Sequence, residues 1–238
     1  MLKIFLVSTY YQFVIFARIK EALFFSIVFP LFLFILFCSI WGGVGDTEYI
    51  TFLLSGVICM TVSSEGMFAI ANVIKQYYSN NFIKVIRNLP YNITVHILSL
   101  CLSRLIVLFS VLILLILCSF YLFHVKISFE LILLYLSGIV LGLTIFTFFG
   151  LCISFSSNTG GGRGAISFIY YIMLFLSNAL FSIGKVNPVL NIISHIFPLT
   201  PLTAYMRGEY TQLPVILIWL AGLIIIFNII YSKKQIKR

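Results

Sequence analysis

Two charged residues stand inside long apolar runs: Glu65 in SSEGMFAIANVI and Arg104 in LCLSRLIVLF. Near the centre of a bilayer either one alone would cost about 2.5–3.5 kcal/mol on insertion scales, so each demands a partner. Glu65 lies ten residues before Lys75, and Arg104 about ten after the start of the next apolar run. At 1.5 Å per residue both fall about 15 Å from the same membrane surface. Equal depth predicts an ion pair, or a shared polar cavity, between two neighbouring helices. Such a pair serves either as a static brace for helix register or as polar lining of a path. Other chemistry is harder to assemble. His96, His124 and His195 are far apart, with no HExxH and no metal-ligand spacing. Cys38, Cys59, Cys101, Cys118 and Cys152 fall in or near apolar runs without CxxC spacing, as packing thiols do. TGGGRG (159–164) superficially suggests a phosphate loop, but it has no lysine and lies between apolar runs; GxxxxGK[ST] is absent. It reads as a flexible turn. No nucleophile–base set emerges, so catalysis by this chain alone is not expected.

What must position these residues is a set of membrane helices. The chain is 62% hydrophobic and 9% charged, with mean hydropathy +1.16. A soluble domain of 238 residues cannot cover that much apolar surface. A spanning helix needs roughly 20 mostly apolar residues, and six stretches qualify: Leu23 to Trp41, Ile50 to Ile74, Thr94 to Phe123, Phe129 to Phe155, Ala165 to Gly184 and Leu213 to Tyr231. Period-2 alternation is missing, which argues against a β-barrel. The expected fold class is an all-α membrane protein, one transmembrane domain over 1–238 with six transmembrane helices and both termini cytoplasmic. That orientation puts Lys3, Arg18, Lys20, Lys75, Lys84, Arg87, Arg163, Lys233, Lys234, Lys237 and Arg238 inside. Outside remain Lys126, Lys185 and Arg207, beside acidic Asp46, Glu48, Glu130 and Glu209, as the positive-inside rule expects. The net charge of +9 then reflects topology and contact with anionic inner-leaflet lipid. Nucleic acid is not an expected partner, since no basic, aromatic-interleaved soluble module exists.

The stretch YYSNNFIKVIRNLP (77–90) lies between spans two and three. Ser79 or Asn80 is the expected N-cap. Phe82, Val85, Ile86 and Leu89 follow at i, i+3, i+4 and i+7, one face of a helix within 79–90. Lys84, Arg87 and Asn88 occupy its other side, and Pro90 stops it. A short amphipathic helix there either rests its apolar face on the membrane or seats it in a groove of a cytosolic partner; the pattern supports both. Residues 2–20 read as a helix in the cytoplasmic interface, because Arg18, Lys20 and Glu21 follow where a cleavage site would stand. Between spans five and six, the outer segment 185–212 holds Pro188, Pro198 and Pro201. Its apolar run Val189 to Phe197 is too short to span, so a re-entrant or interfacial helix is expected. Arg207 and Glu209 mark its return to the outer surface. In span four Gly138, Gly142 and Gly150 share a stripe, interrupted by Phe146, that predicts close packing within the protomer.

Taken in order, several stretches resemble the membrane subunits of type-2 ABC exporters, the permease group for drugs, natural products, lipid-linked glycans and peptides. FARIKEALFFSIVFPLFLFILF (16–37) looks like that family's basic interfacial helix leading into a first span with a central proline. YITFLLSGVICMTVSSEGMFAIANVI (49–74) looks like its second span, and NNFIKVIRNLPYN (80–92) is similar to its loop before the third. In SNALFSIGKVNPVLNIISHIFPLTPLTAYMR (177–207), Pro198, Leu199, Thr200 and Arg207 match the spacing of its distal signature. The chain departs from the pattern at Asn178, where the family often has Gly, at Ser182, where it often has Pro, and in the uncharged KQYYSNN.

The resemblance implies a division of labour. A separate cytosolic ABC ATPase would bind ATP and Mg, the permease itself holding no cofactor. Two permease copies, alike or different, would pair with two ATPases in a bacterial inner membrane. Phe82, Lys84, Val85, Ile86, Arg87 and Leu89 would form a coupling helix against the ATPase, with the N-terminal helix as a second contact. The outer segment would cap the exit, and the seam between copies would involve spans one and five near Pro30 and Leu174. Cargo would be amphipathic, peptide, drug-like or lipid-linked, and would move outward. The competing expectation is an ATP-independent channel or secondary carrier. It predicts transport without a partner, and the two halves of the chain show no convincing repeat.

Overall fold

A backbone in lipid must satisfy its own N–H and C=O groups, so long apolar runs fold as helices. The computed structural model describes residues 2–87, 92–156, 162–181 and 188–236, and among them there are no strands. Helix α1 (Leu2–Arg18) passes through Ile19 into α2 (Lys20–Trp41). Next comes α3 (Thr47–Ser79), capped by Asp46, whose carboxylate accepts from the Tyr49 N–H at 3.1 Å. The short α4 (Phe82–Arg87) precedes α5 (Ile93–Phe123) and α6 (Phe129–Ser156). Helix α7 (Gly162–Leu176) is followed by two short ones, α8 (Pro188–Ser194) and α9 (Leu199–Met206). A single 3-10 turn, Tyr210–Gln212, leads into α10 (Leu213–Ile236).

Five stretches among the described residues are long and apolar enough to cross a membrane: α2, α3, α5, α6 and Tyr210–Lys233. The expected span Ala165 to Gly184 differs. Helix α7 stops at Leu176, and turns over 177–181 replace the rest. Its 15 residues measure about 22 Å at the usual rise, short of a hydrocarbon core of roughly 30 Å. An averaged hydropathy profile runs past this stop, because Ala179, Leu180 and Phe181 follow only two polar residues, Ser177 and Asn178. Gly184 and Lys185 lie outside the described residues, as do Thr159 to Gly161 of the glycine-rich turn.

Helices α2 and α3 each contain a π-helical stretch, Phe24–Val28 and Glu65–Ala71. Pro30 explains the first: it has no N–H for the Ser26 carbonyl and its ring crowds that oxygen, which the wider π turn relieves. In the second, Gly66 lets α6 come close. A Cβ there would lie 2.8 Å from Phe146 Cβ and 2.9 Å from the Thr147 nitrogen.

Helix α3 is the most buried of the five long helices and forms the core, with α6 along its length. The α6 glycines serve this packing. A Cβ on Gly150 would meet Ala71 Cβ at 2.8 Å, one on Gly142 would meet Leu202 at 2.6 Å, and one on Gly138 would meet Met206 at 2.5 Å. All three face neighbours in the same chain. Helix α2 packs on α3 and α5, α1 runs along α5, and α10 leans on α6 and α9.

Two further expectations are corrected. Ser79 and Asn80 do not cap α4: Ser79 ends α3, its hydroxyl donating to the Gln76 carbonyl at 3.1 Å. The chain turns through Asn81 at φ +56°, a left-handed conformation that Asn tolerates. The run Val189 to Phe197 is not one helix either. Helix α8 ends at Ser194, whose carbonyl accepts from the Thr200 hydroxyl at 2.5 Å, and α9 begins separately after Pro198.

Candidate functional site

Glu65 opens the π stretch of α3 and is 3% exposed. The Ser26 hydroxyl, from the π stretch of α2, donates to Glu65 Oε1. Arg104 of α5 brings Nη1 to 3.6 Å from Glu65 Oε2. Its guanidinium carbon lies 4.3 Å from the centre of the Phe16 ring of α1, a cation–π contact. Four helices therefore converge on one carboxylate–guanidinium pair. Glu65 Oε2 and Arg104 Nε make no hydrogen bond among the described residues. Depth arithmetic identifies the two charges, but it misses Ser26. That hydroxyl reaches Glu65 through the widened turn at Pro30, which a regular 3.6-residue periodicity does not anticipate.

The pair borders a cavity of about 760 Å³ beside α2. Ser26, Phe29, Pro30, Leu33 and Phe37 of α2 form one wall; Thr61, Ser64, Glu65 and Phe68 of α3 and Tyr170, Leu174 and Phe175 of α7 form the others. The wall is mostly aromatic and aliphatic, with its charge gathered near one end. Pro30 and Leu174 are buried and face this cavity. The neighbouring Phe25 and Phe32 of α2, and Phe168, Tyr171 and Phe175 of α7, are exposed at the side of the bundle.

At one end of the bundle, α4 is anchored by Ile83, which is buried, while Lys84 and Val85 are exposed. Of the expected face, Phe82 and Val85 are exposed, and Ile83 is the residue turned inward. The Phe82 ring is 5.0 Å from that of Tyr77 and 6.2 Å from that of His96. Tyr77 OH is 3.3 Å from His96 Nε2, and Gln12 of α1 is 3.2 Å from the same nitrogen. Contacts from α1, α3, α4 and α5 meet there. The side chains of Ile86 and Arg87, together with Asn88, Leu89 and Pro90, lie outside the described residues.

At the other end, α9 is almost wholly buried, Thr200 included. Arg207 corrects an expectation. Glu209 is exposed and Arg207 half-buried, but the Arg207 guanidinium turns inward rather than to the surface. Nε donates to Ser55 Oγ at 2.9 Å, and Nη2 donates to the carbonyls of Ala179 at 3.0 Å and Phe52 at 3.2 Å. Its carbon also lies 3.7 Å from the centre of the Phe52 ring. The side chain of Pro188 lies outside the described residues, and Pro198 is buried at the start of α9.

Long apolar helices gathered around a buried ion pair and a mostly apolar side cavity define a multi-pass membrane protein. The chain belongs to the ABC-2 type transporter family, whose profile matches residues 4–210, from α1 to the turn after α9. The membrane domain of that family is a permease component, working normally with an ATP-binding subunit. No curated protein matches the chain.

Proposed function

We propose that this chain is the membrane subunit of an ABC exporter in a bacterial inner membrane. ATP and Mg bind to a separate cytosolic ATPase, and two permease copies form the working unit. Both termini and α4 face the cytosol, where the cationic segments gather. Exposed Phe82 and Val85 of α4, with Lys84 and Arg87, seat in a groove of the ATPase; Ile86 and Leu89 complete that contact. Closure of the ATPase pair moves α4 and redistributes the helices between inward- and outward-open arrangements. Cargo passes along the cavity beside α2, and the α8–α9 segment with Pro188, Pro198 and Thr200 caps the exit.

One observation carries this reading. Helix α4 presents an exposed Val85 while Ile83 and the Tyr77–Phe82–His96 stack fix its base. An apolar knob on a rigid mount suits a partner's groove better than it suits water. Val85→Asp and Arg87→Glu are each expected to abolish co-purification of the ATPase subunit and to lose most transport in vesicles. Unchanged values for both, or transport by the purified chain alone in liposomes, would overturn the proposal in favour of an ATP-independent channel or carrier.

A further inference from the structure

Glu65 Oε2 is an acceptor and Arg104 Nε a donor, both buried and both without a hydrogen-bond partner among the described residues. Both residues line the cavity beside α2. Leaving such groups unsatisfied in low-dielectric surroundings is costly. Glu21 and Tyr171 also line it but are exposed, and its other buried polar groups are engaged. The Thr61 hydroxyl donates to the Val57 carbonyl at 2.8 Å, that of Ser64 to Thr61 at 2.9 Å, and that of Tyr170 to Met60 at 3.3 Å. Unused hydrogen-bonding capacity is therefore concentrated at the ion pair.

We propose that the Glu65–Arg104 pair binds the head of a net-neutral amphiphile drawn from the membrane, one whose head carries hydroxyl or amide groups. A single hydroxyl satisfies both atoms, donating to Glu65 Oε2 and accepting from Arg104 Nε. Charge selects against the alternatives. The third charged residue of the lining, Glu21, is exposed to solvent, and the two buried ones balance, so at their level a cationic head meets Arg104, an anionic head meets Glu65, and either is stripped of water without a counter-ion. Shape supplies the tail site. From the level of Ser26 to Phe37 the α2 wall rises about 16 Å, lined by Phe29, Leu33 and Phe37 and faced by Phe68, Leu174 and Phe181. A polar head at one end and an apolar slot beyond it fit an amphiphile lying along the helices. This names the cargo class for the cavity of the export reading and rests on that reading for the direction of movement alone.

The chain has two tryptophans, Trp41 and Trp219. The Trp41 ring centre lies 5.2 Å from that of Phe37 and 6.0 Å from that of Phe181, both cavity residues. Trp219 is on α10, which packs on α6 and α9. The full chain carrying Trp219→Phe, with any co-purifying ATPase, is placed in lipid nanodiscs. It is titrated with brominated dodecyl chains bearing a maltoside, a sulfate or a trimethylammonium head. The maltoside is expected to quench Trp41 saturably, at a mole fraction about tenfold below that of either charged probe. The Trp41→Phe chain, reporting from Trp219, shows unsaturable quenching. Arg104→Gln shifts preference toward trimethylammonium and Glu65→Gln toward sulfate. The head-group series on the unsubstituted site decides the matter even if those variants do not fold. Equal quenching by the three heads or preference for a charged one overturns the proposal. So does the absence of saturation, the result if a second copy fills the cavity, or an unmoved charge preference in folded variants. No nucleotide enters this measurement, so its failure leaves ATPase co-purification untouched, and loss of co-purification leaves the quenching result standing.

Discussion

Arg207 holds together three pieces of chain that are distant in sequence. Its one planar head takes a hydroxyl of α3, a carbonyl of α3 and the carbonyl of Ala179 after α7. Gly56 makes the approach possible, since a Cβ there would fall 1.8 Å from that Ala179 oxygen. Removing the guanidinium takes the donor from the Ala179 carbonyl in a tightly packed place, while that of Phe52 keeps the Ser55 hydroxyl at 2.7 Å. Arg207→Leu is expected to lower unfolding stability by at least about 1.5–3 kcal/mol, the range for a hydrogen bond to a charged group. Arg207→Lys should recover less than half of this, because an ammonium cannot fork among three acceptors in fixed directions. Thermal unfolding of the detergent-solubilised chain checks both, and a lysine variant melting with the parent would refute the argument. The spacing from Pro198 to Arg207 is readable in the sequence, but the inward turn of Arg207 is not. A cation at the end of an apolar run is expected to seek water, and only the three-dimensional meeting of Phe52, Ser55 and Ala179 offers it something better.

Helices rather than residues were the most legible level. Apolar runs of spanning length fix α2, α3, α5, α6 and α10 to within a few residues, because lipid permits no other backbone arrangement. What escaped is local geometry: the stop of α7, the split of α8 from α9, and the two π stretches. The first π stretch follows from Pro30, the split from Pro198 and the Thr200 hydroxyl, and the second π stretch from the close approach of α6 at Gly66, none of which a one-dimensional hydropathy profile contains. The glycines give a test at this scale. Gly66 and Gly222 are both helical, but a Cβ on Gly66 collides with the backbone of α6, whereas one on Gly222 meets nothing within 4 Å. Gly66→Ala should therefore destabilise by about 1–3 kcal/mol through overpacking. Gly222→Ala should be neutral or stabilise by up to about 1 kcal/mol through helix propensity. Matching melting temperatures for the two variants would show that the α3–α6 contact yields easily.

For the whole molecule, sidedness is the property on which the export reading turns. Val44, 75% exposed in the loop between α2 and α3, and Val85, 57% exposed on α4, stand beyond opposite ends of the 33-residue α3. In a chain whose five cysteines are replaced by alanine, Val44→Cys should react with a membrane-impermeant maleimide in intact cells. Val85→Cys should react only after permeabilisation, and the reverse pattern would invert the topology. The branching of the fold then has a mechanical outcome. Helices α3 and α5 flank α4 in the chain like two arms of one elbow, while α2 joins α3 through the loop at the far end and packs against both arms. On the export reading, a thrust on the elbow would reach Glu65 and Arg104 along its two arms, and Ser26 only across the contacts of α2 with them. Of the two contacts on Glu65, the serine hydroxyl joins an arm to α2 and the ion pair joins arm to arm, so such a thrust would load the first before the second.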